Sequence, residues 1–156
     1  MKRWILYFGA FFLTSSLGIS PFRGADIARL SPVEIVWLSS NGREVYLQTD
    51  AGDVGQGANV EAALNNMHRT SAGTVFLDTA DYLIVEQGKE YLIKEVYGIL
   101  RPSCLVFTAK QIPTGGKLSE FLKSHECGVP LRKLWNSQQQ LPLLTEHEGR
   151  FEWFES

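Results

Sequence analysis

Short apolar runs rich in β-branched and aromatic residues alternate along this chain with segments whose apolar residues recur at helical spacing. That alternation constrains the fold more than any other feature. Strands and amphipathic helices that follow one another must bury their apolar sides together, which predicts a layered α/β domain. Val33-Glu34-Ile35-Val36-Trp37-Leu38 reads as the first strand. Asn41-Gly42 follows as a hairpin signal, because both residues tolerate the positive φ of a type I′ turn. Val45, Tyr46, Leu47 and Thr49 then form the return strand. This opening hairpin predicts a mixed rather than a purely parallel sheet.

Further along, Gly52-Asp53-Val54-Gly55-Gln56-Gly57 reads as a flexible connector. Its spacing matches neither the dinucleotide fingerprint nor a Walker A loop. Asn59 caps a helix whose face is Val60, Ala63, Leu64 and Met67, ending near His68. Thr74–Leu77 and Tyr82–Val85 are strands, and Lys89–Leu100 is a helix that Pro102 ends. Ser103–Thr108 continues as a strand. The apolar runs 74–77 and 104–107 are expected at the centre of the sheet, buried on both faces. Gly115-Gly116 opens a helix carrying Leu118, Phe121 and Leu122, and Val129–Trp135 is a strand-to-helix piece. Leu143–Thr145 and Arg150–Phe154 pair across Glu148-Gly149 as a terminal hairpin.

The first residues carry a different message. Met1-Lys2-Arg3 is a short basic stretch, Trp4 to Leu13 is an unbroken apolar run, and Thr14 to Gly18 turns small and polar. That is the layout of a secretory signal. The run is short for a membrane span, which needs about 20 apolar residues, but extended through Ile19 it becomes a marginal one. Residues 1–25 are therefore expected to be a signal peptide or a retained N-terminal anchor, and 26–156 a single α/β domain. The protein is expected to be exported, either secreted or tethered through that segment. Lys2, Arg3 and Arg23 precede residue 26 and all 17 acids lie at Asp26 or beyond it, so the domain is acidic. Such a domain is a poor nucleic-acid binder.

Chemistry-bearing residues are sparse. Cys104 and Cys127 are the two cysteines, and in an oxidising compartment an even pair suggests one disulfide. The alternative is two separate buried thiols. His125 with Cys127 and Cys104 offers three metal ligands, where a structural zinc site wants four in close pairs, so no metal or cofactor is expected. Phe76-Leu77-Asp78-Thr79-Ala80-Asp81 is similar to the catalytic turn of aspartic proteases, but Ala80 stands where that turn needs glycine. Asp78 and Asp81 read as polar turn residues. Ser119, Ser124 and Ser137 lack a nucleophile-elbow context.

One block carries a family likeness. Gly57-Ala58-Asn59-Val60-Glu61-Ala62-Ala63-Leu64 is followed by Thr74 to Val85, the helix 89–100, Arg101-Pro102 and the strand 104–109. This order resembles the N-terminal domain of the spore germination Ger(x)C family, over about a third of the chain. There a Glu-Ala-Leu helix precedes a Phe-Leu strand, a Leu-Ile-Val strand, a helix and a further apolar strand. The resemblance implies an extracytoplasmic, non-enzymatic subunit whose partners are membrane-embedded germination-receptor proteins. The family's acylated cysteine has no counterpart near the N-terminus here. Two other functions stay open. A secreted hydrolase would bring Asp53, Asp78 or Asp81 together with another ionisable group. A secreted ligand-binding or inhibitor domain would present an apolar pocket or an exposed aromatic patch.

Overall fold

The computed structural model describes residues 30–113, 116–125, 127–135 and 139–154. The signal or anchor segment expected at 1–25 lies outside the described residues. The domain is α/β, built on a mixed eight-stranded sheet.

Strands β2 (Ile35–Ser40), β6 (Tyr82–Glu86), β7 (Leu105–Ala109) and β9 (Leu143–His147) lie side by side and parallel. Antiparallel strands flank them. β3 (Val45–Thr49) and β4 (Val54–Gly57) extend the β2 side, and β10 (Arg150–Phe154) extends the β9 side. The short β8 (Val129–Pro130) pairs with the first half of β7. Strand β1 (Leu30–Pro32) pairs instead with β5 (Thr74–Phe76) in a separate parallel ribbon.

Pleating sorts the apolar side chains onto two faces. Val36, Leu38, Leu83, Val85 and Val106 face a front core. That core is closed by helix α1 (Val60–Thr70), a 3-10 helix at Glu90–Val96, and the single turn α3 (Leu131–Leu134). Ile35, Trp37, Tyr82, Ile84 and Phe107 face a back core. Only α2 (Leu118–Ser124), through Leu118 and Leu122, covers it as a helix among the described residues. The front is thus a full layer, whereas the single short helix leaves part of the back over β2 and β3 open.

Helix α1 forms as its cap and face predict. The Asn59 side chain accepts the Ala62 N–H at 2.8 Å, and Val60, Ala63 and Met67 are buried. The Glu95 carboxylate accepts the Val60 N–H at 3.0 Å, tying the helix start to the 3-10 helix. Asn59→Ala is expected to lower stability by about 1 kcal/mol, read as a shift in the denaturation midpoint.

The structure corrects four expectations. Gly52–Gly57 is no connector: its second part is strand β4, on which α1 lies so closely that its glycines are required. A Cβ on Gly55 would stand 2.2 Å from the Ala63 carbonyl oxygen, and one on Gly57 would stand 2.4 Å from the Ala63 nitrogen. The run 74–77 is not central either. Thr74 and Phe76 are exposed, Leu77 is taken up in a 3-10 turn, and the central place belongs to β6, buried from Tyr82 to Val85. The helix expected over 89–100 is a 3-10 helix only to Val96. Leu92, Ile93 and Val96 seat it on the sheet, Tyr97 turns extended, and Gly98 takes φ +87. The first hairpin is present, but Asn41-Gly42 is not a two-residue turn. Ser40 pairs with Val45, and the Asn41 side chain accepts the Arg43 and Glu44 N–H groups at 2.9 Å each inside a four-residue loop.

The terminal hairpin forms across Glu148-Gly149 as expected, with His147 opposite Arg150. Both turn residues have positive φ, +52 at Glu148 and +75 at Gly149. A non-glycine residue in that region is strained, and asparagine tolerates it better. Glu148→Asn is expected to raise stability by about 0.5–1 kcal/mol, measured by thermal or denaturant unfolding.

Candidate functional site

Two clefts of comparable size flank the sheet. The front cleft, about 540 Å³, opens at the carboxyl ends of β6 and β7, marked by Gln87 and Thr108. The 3-10 helix supplies Glu90, Tyr91, Ile93 and Lys94 to one wall, and Leu134, Leu141 and Leu143 form the other. The volume lies in the range of ligand sites, and open α/β sheets place their sites at this end of the strands. Tyr97, also in the lining, packs edge-on against Trp135, with ring centroids 4.4 Å apart at 61°. Trp135 is nevertheless 65% exposed and Tyr91 58%. Large aromatic side chains held out to solvent beside an apolar cleft are the groups that protein interfaces enrich.

The back cleft, about 500 Å³, has Ile35, Trp37 and Ile84 as its floor and is walled by Ile112, Pro113, Leu118 and Ser119. Beside it Lys123 donates to both Glu34 carboxylate oxygens, at 2.9 and 2.8 Å, and the Ser119 hydroxyl donates to the same carboxylate. The Lys123 hydrogen bond foremost, then that of Ser119, holds the Glu34 carboxyl below its ordinary value, against a smaller opposing push from burial. The same bond raises Lys123. Ser119 is therefore a donor to an anion and Lys123 stays charged, so the pair does not make an activated nucleophile and its base. Ser119 and Lys123 stand one helical turn apart, which the sequence displays. Glu34 lies 85 residues from Ser119, which it does not.

The carboxylates singled out in the sequence are dispersed. Asp53 follows the turn between β3 and β4, Asp78 is exposed in the 3-10 turn after β5, and Asp81 is ion-paired with Arg101. None of the three lines either cleft. Cys104 and Cys127 are free thiols on opposite faces of the sheet, Cys104 in the front core and Cys127 against the back one. Burial pushes the Cys104 thiol up to about 12, against a smaller pull from Arg101. Burial also raises Cys127. Neither is a ready thiolate. His125 stacks on Phe121 with centroids 4.4 Å apart, and His68 and His147 are exposed on α1 and β9. Among the described residues no group of three His, Cys, Asp or Glu side chains is placed to hold a metal ion. No described helix is long and apolar enough to cross a membrane.

Comparison with protein-family models, with curated proteins and with solved structures gives no match for this chain.

Proposed function

We propose that this chain is an exported, non-enzymatic module that acts by contact with another protein, in the manner of an accessory subunit of a membrane-embedded germination receptor. The observation that carries the reading is the aromatic rim of the front cleft. Tyr91 and Trp135 are held in the open beside an apolar depression, and Tyr97 fixes the orientation of Trp135. Trp and Tyr so placed are the side chains that dominate binding energy at protein interfaces. The N-terminal apolar segment supplies the export route, and the order of elements from 57 to 109 supplies the likeness to germination proteins. The dispersal of Asp53, Asp78 and Asp81 weighs against the hydrolase reading, which rested on their convergence.

The test is the size of the particle that contains the chain. Membranes of the organism that encodes it, solubilised in mild detergent, are expected to yield it in a complex with a multi-pass membrane protein. A free monomer in both the solubilised membrane and the medium contradicts the proposal.

A further inference from the structure

The two edges of the main sheet are finished differently. At β4 the Thr49 N–H donates to the Asp53 carbonyl at 2.9 Å, which sets the alternation of the β3–β4 ladder and turns the backbone groups of Val54 and Gln56 outward. Helix α1 meets them there. The Asn66 side chain accepts the Gln56 N–H at 3.3 Å, and the Thr70 hydroxyl reaches the Val54 carbonyl oxygen at 3.5 Å. Covering an edge in this way closes it to further strands.

The opposite edge, β10, has no such cover among the described residues. The two-residue turn at Glu148-Gly149 makes His147 and Arg150 a hydrogen-bonded pair, so Glu152 bonds toward β9 as well. The Thr145 hydroxyl, 3.4 Å from the Glu152 carbonyl oxygen, marks that same side. The N–H and C=O groups of Phe151 and Trp153 therefore point off the sheet, and no described group bonds them. Arg150 and Glu152 share one face of the strand, both exposed, and neither has an ion-pair partner among the described residues. Phe151, on the other face, is half-buried against Phe121, with ring centroids 5.6 Å apart.

We propose that β10 pairs antiparallel with β10 of a second copy of this chain, in the register that sets Phe151 opposite the partner's Phe151. Charge complementarity selects both the occupant and the register. With the two-fold axis at Phe151, Arg150 stands opposite the partner's Glu152, and symmetry repeats the pair on the other side. Opposite charges facing each other across a ladder stabilise it, and like charges do the reverse. The two Phe151 residues exchange N–H to C=O bonds, and their rings meet as an aromatic pair. Trp153 falls opposite the partner's Gly149, so the ladder runs from 149 to 153 in both copies. The outward groups allow two other axes within β10. An axis at Glu152 sets that carboxylate against its own copy, and one at Trp153 sets Glu152 against the partner's Phe154, so neither pairs the charges. The pairing does not rest on the aromatic rim, whose Tyr91 and Trp135 belong to other elements.

The experiment measures the mass of the full chain by light scattering in mild detergent, at protein concentrations up to about 1 mM. The wild type is expected to pass from monomer to dimer. Arg150→Glu alone and Glu152→Arg alone each set like charges opposite one another, and each is expected to weaken the dimer about tenfold or more. Mixed in equal amounts, the two single variants are expected to dimerise with each other as the wild type does, because every reversed position then faces the opposite charge. The double variant Arg150→Glu/Glu152→Arg should dimerise like the wild type for the same reason. Amide exchange of the ¹⁵N-labelled wild type locates the contact: the Phe151 N–H should slow as concentration rises, while the Gln56 N–H, already bonded within the chain, should not change. A monomer at every concentration overturns the inference. So does a dimer that either single variant leaves intact, a mixture of the two that fails to associate, or Phe151 exchange that ignores concentration. If a single variant fails to fold, the double variant and the Phe151 exchange still decide the question.

Discussion

Gly55→Val is expected to destabilise the domain by about 3 kcal/mol or more, enough to unfold much of it at ordinary temperature. Gly55 lies in β4 with its backbone pressed against α1. The first carbon of any side chain there would stand 2.2 Å from a backbone oxygen and 2.8 Å from the Met67 Cβ. Neither atom is the end of a flexible side chain that could swing aside. The helix itself has to lift, and lifting it uncovers Val60, Ala63 and Met67, all buried against the front core. Inserting atoms into a packed core usually costs about 1–3 kcal/mol, and a fixed backbone obstacle takes the cost to the top of that range or beyond it. Gly116→Ala is the control, since a Cβ there meets nothing within 4 Å and φ is not positive. It should change stability by no more than about 0.5 kcal/mol. Urea denaturation of the two variants measures both effects.

The second large effect falls on binding rather than stability. Tyr91→Ala combined with Trp135→Ala is expected to weaken capture of the membrane partner by about 100-fold, the loss of roughly one strong or two moderate interface anchors. The same pair should lower stability by no more than about 1 kcal/mol, because both rings are mostly exposed and only the contact of Trp135 with Tyr97 is lost. Co-purification from solubilised membranes, with a denaturation curve on each variant, separates the two quantities. A variant that unfolds, or one that keeps wild-type capture, contradicts the role given to the rim.

Legibility in the sequence followed how local each cause was. The α1 cap and apolar face, the turn at Glu148-Gly149 and the strand of β6 depend on residues within one or two turns of each other, and all were readable. Pairing was not. The run 74–77 is as apolar to the eye as 82–85, but which of them sits at the centre depends on neighbours far away in the chain. Gly55 and Gly57 carried a readable signal, since glycine inside a strand marks close backbone approach, but the neighbouring Gly52 and Asp53 made the stretch look like a loop. Asn41-Gly42 was read correctly as a hairpin and incorrectly as a two-residue turn, because the Asn41 side chain organises a wider loop than the dipeptide suggests. The front cleft draws its lining from residues 87 to 143, and no short motif spans that distance. Trp37 was read as a core residue, which it is. Its indole nitrogen is buried with no hydrogen-bond partner among the described residues, which depends on its surroundings and is not given by sequence alone.

The central claim is that the aromatic rim meets another protein, and a photo-reactive side chain placed there tests it most directly. Trp135→p-benzoylphenylalanine, irradiated in cells of the encoding organism, is expected to give one discrete adduct with a membrane protein. The same substitution at Val54, exposed on β4 at the far edge of the sheet, should give none. No adduct from position 135, or equal adducts from positions 135 and 54, would contradict the account.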